Sequence, residues 1–126
     1  MLLLDSSAVS RLSERTQSAA AFIIALRREG LWPPIVPTCV LVECLTGDSR
    51  RDAVTDRFLK TCDITEAIPE ILARRAARLR TLATRGSAVD SILVAAAEPG
   101  GIVVTSDVRN LRALATHARG VKIDRV

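Results

Sequence analysis

The sequence has little of the chemistry that histidine and cysteine supply. It contains one histidine, His117, and three cysteines, Cys39, Cys44 and Cys62, with no CxxC pair among them. A single histidine excludes a reaction that needs two histidines as acid and base. An odd number of unpaired cysteines suits neither a disulfide framework nor a zinc site, so we expect three inert thiols.

Aromatic side chains and long apolar segments are also scarce. The chain has two phenylalanines, one tryptophan and no tyrosine, too few for a surface that stacks the bases of a single strand on aromatic rings. The longest apolar run has eight residues, at positions 19–26, whereas a membrane-spanning helix needs about 20. The start of the chain has no basic segment of a signal peptide. We therefore expect a cytoplasmic protein without a membrane segment.

What is present is a short, basic chain of globular composition. It has 126 residues, of which 48% are hydrophobic and 25% charged, and this length fits one domain over residues 1–126. The net charge is +4, and all basic residues except Lys60 and Lys122 are arginine. Guanidinium groups bind phosphate and carboxylate in a bidentate way, which favours an anionic partner. A GC-rich genome is an alternative origin of the arginine excess.

Short apolar runs alternate with helical patterns along the whole chain. We predict helices over residues 17–29, 38–47, 50–60, 66–85, 88–98 and 107–119. We predict strands over residues 2–4, 35–36, 62–64, 102–105 and 121–123. Such an order is typical of a three-layer α/β/α fold, with a central parallel sheet of four to five short strands and helices on both faces.

Two aspartates follow predicted strands. Asp5 comes directly after residues 2–4, and Asp107 comes shortly after residues 102–105. If both strands are central and parallel, the two carboxylates lie at the same edge of the sheet, where open α/β folds bind their ligands. A helix N-cap is the alternative role for each of them.

Two further acids stand in apolar segments. Asp90 opens the nearly uncharged helix over 88–98, and Glu43 lies between Val42 and Cys44. Asp90 has an alternative role in the first helical turn, where a carboxylate favours the helix dipole. Four acids in buried surroundings would repel one another unless a cation lies between them. Oxygen ligands without histidine favour Mg²⁺ or Mn²⁺ over zinc, and such a metal can activate water against a phosphodiester.

Four segments resemble, in order, the four motifs of a known family. The stretch 3–8, Leu-Leu-Asp-Ser-Ser-Ala, resembles the opening motif and contains Asp5. The stretches 41–45, 88–97 and 104–111 resemble the second, third and fourth motifs and contain Glu43, Asp90 and Asp107. Over its full length the chain resembles the PIN-domain ribonucleases, in particular the VapC-like toxins of bacterial toxin–antitoxin pairs.

The resemblance implies a PIN-like fold and a Mg²⁺-dependent endoribonuclease that cuts RNA. Asp5, Asp90 and Asp107 would bind the metal, and Glu43 would hold its water shell or act as the base. Asn110 stands where family members often carry another acid, which lowers the charge of the site by one and argues against a second bound metal. Further residues are expected to orient these carboxylates or to contact substrate: Ser6, Thr105, Ser106, Arg109, Asn110 and Arg112. Turn and cap roles are the alternative for Ser6 and Ser106.

The resemblance also implies partners. An antitoxin would wrap a groove near the early helices, where residues 17–29 offer Phe22, Ile23 and Ile24. Core packing is the alternative role for this helix. A homodimer is usual in the family.

A catalytically degenerate RNA- or protein-binding module is the alternative function. We expect Asp5→Ala or Asp90→Ala to abolish cleavage and to leave the fold intact or more stable, because repulsion between carboxylates is relieved.

Overall fold

The computed structural model describes residues 1–126 as five strands and seven helices. The strands are β1 Leu2–Leu4, β2 Ile35–Pro37, β3 Asp63–Thr65, β4 Ile102–Thr105 and β5 Lys122–Arg125. The helices are α1 Ser6–Ser13, α2 Gln17–Arg28, α3 Thr38–Cys44, α4 Ala53–Leu59, α5 Glu70–Ala83, α6 Ala88–Ala97 and α7 Val108–Ala115.

The five strands form one parallel sheet in the order β3-β2-β1-β4-β5. In the centre, β1 is paired with β4 so that Leu4 lies beside Val104. The side chains of β1 and most of those of β4 are fully buried. A short, uniformly apolar strand is what a parallel sheet covered on both faces requires.

The helices cover the two faces of the sheet in two groups. Helix α1 packs on α2, α3 and α4, while α5, α6 and α7 pack on one another. The chain moves from β1 through β2 to β3 in one direction, and from β4 to β5 in the other. Because crossovers between parallel strands are right-handed, these opposite directions place the two groups on opposite faces. The three-layer α/β/α fold is therefore confirmed, with five strands.

Helix α1 is an element that the sequence pattern did not reveal. It is rich in serine, which favours turns over helix interiors, and the sequence pattern predicts no helix before residue 17. In the structure Ala8, Val9 and Leu12 are buried, and Asp5 is the N-cap residue. This apolar spacing directly after an aspartate is the signal that could have found the helix.

Other boundaries differ from the predicted ones by a few residues. Helix α5 begins at Glu70 instead of residue 66, with Pro69 at its N-cap, because a proline keeps the residue before it out of the helical conformation. Helix α7 ends at Ala115, before the predicted end at residue 119. No helix is both long enough and apolar enough to span a bilayer.

Candidate active site

The site predicted from the sequence lies where the direction of the chain reverses across the sheet. Strand β1 leads to its neighbour β2 on one side, and β4 on the other side of β1 leads outward to β5. In open α/β sheets, a crevice forms at the carboxyl ends of two strands that diverge in this way. Asp5 follows β1 and Asp107 follows β4, so both stand at this crevice.

Asp5 is buried and its carboxylate is held by the start of α1. Its side chain caps the helix, with Oδ1 accepting the Ala8 N–H at 2.8 Å. The Ser7 hydroxyl donates to the same oxygen at 2.7 Å. These are local contacts, because the capping side chain of a helix lies beside its second and third residues.

Thr105 holds the second oxygen of Asp5 from the neighbouring strand. Its hydroxyl, fully buried at the end of β4, donates to Asp5 Oδ2 at 2.6 Å. The same Thr105 oxygen accepts the Asp107 N–H at 3.0 Å. The Ser106 N–H donates to the Ser7 hydroxyl at 2.9 Å. The ends of β1 and β4 are thus tied together by side chains, and the orientation of the Asp5 carboxylate is fixed.

These contacts correct two of the predicted orienting residues. Ser6 and Ser106 place no hydroxyl on a carboxylate, and Ser106 contributes its backbone N–H. The hydroxyls that orient Asp5 are those of Thr105, which is one of the predicted residues, and of Ser7, which is not. Ser6 is the first residue of α1, and the cap geometry brings the second helical residue, Ser7, beside the capping carboxylate. Ser7 was missed although its position two residues after an N-cap aspartate could have identified it.

Asp107 and Asp90 both have structural roles at the start of a helix, which are the alternatives to metal binding that the sequence offers. Asp107 caps α7, and its Oδ1 accepts the Arg109 N–H at 3.3 Å. Asp90 forms a capping box with Ser87, because its Oδ2 accepts the Ser87 N–H and its own N–H donates to the Ser87 hydroxyl. Asp107 is exposed and Asp90 is half-buried. Asp90 Oδ1 and Asp107 Oδ2 accept no hydrogen bond from the protein.

The expectation that all four acids lie in buried surroundings is correct for Asp5 alone. Glu43 is exposed on α3, as is its neighbour Val42. This short helix buries a single residue, Val40, and it packs mainly on α1 and β2. An apolar run of this length is therefore not evidence that the acid within it is buried.

The carboxylates do not form a closed metal cage in this arrangement of side chains. No three histidine, cysteine, aspartate or glutamate side chains lie close enough together to hold a metal ion. The available donors are carboxylate and hydroxyl oxygens, the ligand type that Mg²⁺ prefers, and Mg²⁺ is commonly held by one or two carboxylates with water completing its shell. The donor set fits a hydrated Mg²⁺ in its chemistry and does not fit an ion enclosed by protein ligands.

The thiols offer no competing chemistry. Burial raises the pKa of Cys62 to about 11, and burial also raises the pKa of Cys39 and of Cys44. At neutral pH all three are protonated, whereas the thiolate is the form that attacks or binds metal. The cysteines are also unpaired with one another.

Helix α7 presents the remaining predicted residues beside Asp107. Arg109 and Arg112 are exposed, and Asn110 is half-buried. The three side chains make no hydrogen bond or ion pair within the protein. Two free guanidinium groups on the helix that Asp107 caps are available to an anionic ligand.

Comparison with known proteins gives a solved structure to set beside this fold. No family model and no curated protein matches the sequence. The chain is similar to a chain in the crystal structure of VapBC2 from Rickettsia felis bound to a DNA fragment from their promoter. The identity is 13%, the alignment covers 99% of this chain and 98% of that one, and the TM-score is 0.71. At this identity the likeness shows the fold, and the PIN-like architecture is confirmed.

Proposed function

We propose that this chain is a Mg²⁺-dependent endoribonuclease and the toxin of a toxin–antitoxin pair that acts in the cytoplasm. The observation that carries the proposal is the position of Asp5. A buried carboxylate stands at the crevice between β1 and β4 and is held by Ser7, Ala8 and Thr105. Burying a carboxylate costs free energy that hydrogen bonds must offset, and one that is fixed at the ligand-binding edge of the sheet favours a catalytic role. The fold shared with a chain of VapBC2 supports the same proposal.

Asp5, Asp90 and Asp107 are the residues that would bind the metal. A bound Mg²⁺ would supply a water of lowered pKa and would neutralise charge on the phosphodiester. Thr105 and Ser7 would keep the Asp5 carboxylate in one orientation, which a metal ligand needs for full affinity. Glu43, which is exposed and free of the core, would hold a water molecule or accept a proton.

The substrate that we propose is RNA held by its backbone. Arg109 and Arg112 project from α7, next to Asp107, with no carboxylate partner. Their guanidinium groups suit phosphate. The near absence of aromatic side chains argues against recognition by base stacking.

The proposed antitoxin site is a groove formed by α1, α2 and α4. This cavity of about 230 Å³ is lined by Leu12, Ile23, Trp32 and Phe58 among others. Three arginines stand around it, Arg15, Arg27 and Arg57, and Arg27 lies over the Trp32 ring at 5.1 Å. Apolar side chains with acids beside them would match this groove. We also propose that the chain forms a homodimer, and this part of the proposal rests on the family resemblance alone.

The alternative function is a PIN-like module that binds RNA or protein without cutting it. Two observations favour it: the acids do not converge into a metal cage, and residue 110 is asparagine where a further acid is usual in the family. An Asn oxygen can still bind or orient water, but it brings no charge to the site.

Cleavage of total cellular RNA distinguishes the two functions. Purified chain without antitoxin is incubated with Mg²⁺ or Mn²⁺ and, in parallel, with EDTA. Asp90→Asn is the matched variant, because an amide oxygen can still accept the Ser87 N–H and keep the helix cap. We expect cleavage that needs both the metal and Asp90. Metal-independent cleavage, or equal rates for the variant, would contradict the assigned site, and RNA binding without cleavage would support the binding module.

A further inference from the structure

We propose that a second pocket, formed by the end of β5 and the start of α2, binds a backbone phosphate of the nucleic acid next to the one that is cut. This pocket is called the β5 pocket below. The inference rests on the proposed function, since it assumes that Asp5 marks the site of cleavage. It assigns substrate contact to two arginines that no motif identifies, Arg11 and Arg125.

The β5 pocket lies on the same edge of the sheet as Asp5. The pairing of Leu4 with Val104 continues to Asp5 beside Thr105, and Thr105 is paired with Arg125. With neighbouring strands about 4.8 Å apart, the Cα atoms of Asp5 and Arg125 are about 10 Å apart. Helix α1 carries Arg11 and begins directly after Asp5. A strand of nucleic acid that runs along this edge from Asp5 towards β5 passes the pocket.

The lining of the β5 pocket suits an anion. The cavity measures about 300 Å³ and has Arg11, Thr16, Ser18 and Arg125 among its walls. Both arginines are exposed, and neither forms an ion pair with a carboxylate within 4.0 Å. Glu14 is the one acidic side chain of the lining. Two unpaired guanidinium groups with hydroxyl donors beside them can hold a phosphate from two sides.

The start of α2 adds to this arrangement. Thr16 caps the helix, its hydroxyl accepting the Ala19 N–H at 3.1 Å, and Ser18 lies within hydrogen-bonding distance of that hydroxyl. The first N–H groups of a helix have no partner within it, and the helix dipole favours negative charge at this end. The two arginines define the pocket, and the helix end strengthens its preference for an anion.

The position of the pocket favours nucleic acid over a protein segment. The apolar groove described above lies along α1, α2 and α4 and has mainly apolar walls, whereas the β5 pocket has Ala19, Phe22 and Val126 as its only apolar residues. A single carboxylate of a partner protein could also enter, but it would not explain two free arginines beside the catalytic edge. Partner binding without RNA binding is the outcome that would assign the pocket to protein.

Fluorescence anisotropy with a short single-stranded RNA of random sequence, labelled with fluorescein, tests the proposal. The full chain and its variants Arg11→Ala, Arg125→Ala and the double variant are titrated in EDTA, so that no RNA is cut. Arg28→Ala is the control: it removes the same charge from the last turn of α2, about 18 Å along the helix from Thr16. Thermal unfolding checks that all variants are folded.

Each arginine that binds a phosphate contributes about 0.7 to the slope of log affinity against log salt for a single strand. We expect Arg11→Ala and Arg125→Ala each to lower this slope by about 0.7. A slope of about 0.7 corresponds to a factor of about five in affinity per decade of salt, so each of the two variants should bind RNA about fivefold more weakly at 0.1 M salt. The double variant loses both contributions, and Arg28→Ala loses neither. Equal losses in all three single variants would show a general charge effect and overturn the pocket.

The two proposals fail in different ways. If the chain cuts RNA but the Arg11 and Arg125 variants bind as Arg28→Ala does, the pocket is wrong and the nuclease assignment stands. If the chain cuts nothing but its RNA binding depends on Arg11 and Arg125, the nuclease assignment is wrong and the pocket stands. Absence of RNA binding by the unaltered chain would overturn the pocket, whereas the cleavage assay in Mg²⁺ decides the nuclease assignment.

Discussion

Replacing Thr105 by valine is the substitution with the clearest expected consequence. Valine has nearly the same shape and fits the fully buried position, so the change removes a hydroxyl and little else. Asp5 Oδ2 loses the donor that lies 2.6 Å away and has no other donor in the protein. Asp107 N–H loses its acceptor too, but Asp107 is exposed and water can replace it.

The size of the effect follows from the charge of Asp5. A hydrogen bond to a charged group contributes about 1.5–3 kcal/mol, so Thr105→Val should lower the free energy of unfolding by that amount at pH 7. For a domain of 126 residues, 1 kcal/mol corresponds to about 4 °C in melting temperature. The expected decrease is about 6–12 °C. Thr105→Ser keeps the donor and should recover most of it.

Thermal unfolding by circular dichroism measures this decrease, and Thr116→Val is the matched control. Thr116 is exposed at the C-cap of α7, and its hydroxyl donates to the Arg112 carbonyl of that helix at 3.0 Å. Substitutions of exposed residues of this kind change the free energy of unfolding by no more than about 0.5 kcal/mol. Equal melting temperatures for Thr105→Val and Thr116→Val would refute the inference that the Thr105 hydroxyl holds the Asp5 carboxylate.

Two further substitutions test contacts among α5, α6 and α7. Glu98 accepts two hydrogen bonds from Arg75, which hold the pKa of Glu98 below its ordinary value; Glu98→Gln should cost about 1–3 kcal/mol at pH 7. A carboxyl group with a lowered pKa in the folded chain stabilises the fold at pH values above its ordinary pKa, and this stabilisation is lost as the pH falls through the pKa of the folded chain. Urea unfolding should therefore find a smaller difference in free energy of unfolding between Glu98→Gln and the unaltered chain at pH 3. Gly86→Ala should cost more than Gly47→Ala in the same assay, because both residues have positive φ but only at Gly86 does a Cβ meet Leu114, at 2.7 Å. Equal costs would show that Leu114 gives way.

Much of the fold was predictable because its signals are local. Short β-branched or leucine runs between helical patterns identified all five strands within two residues, and the alternation of strands and helices indicated the parallel sheet. Asp5 and Asp107 were placed correctly after their strands for the same reason. Both also cap helices, so the structural role and the proposed functional role are carried by the same side chains.

The side-chain network around Asp5 was not predictable from such patterns. Its short bond to Thr105 joins residues 100 positions apart, and no local spacing encodes a contact between neighbouring strands. The exposure of Glu43 depends on which surfaces α3 meets, which the apolar run around it does not specify. Both features depend on tertiary contacts that sequence periodicity does not contain.

The structure also changes the expected effect of removing the aspartates. The sequence led to the expectation that Asp5→Ala or Asp90→Ala leaves stability intact or increased. Asp5 accepts three hydrogen bonds and caps α1, and Asp90 completes a capping box. Loss of such a cap costs about 1 kcal/mol, so both alanine variants should be less stable than the unaltered chain.

Asp5 is the centre of the proposed reaction, and the rate of RNA cleavage by Asp5→Asn tests that role most directly. Asp63→Asn is the control, because it removes the same charge from an exposed residue at the beginning of the edge strand β3. In Mg²⁺, we predict that Asp5→Asn slows cleavage more than about 100-fold and that Asp63→Asn cleaves at the rate of the unaltered chain. Equal rates for the two variants would contradict the assignment of Asp5 to the active site.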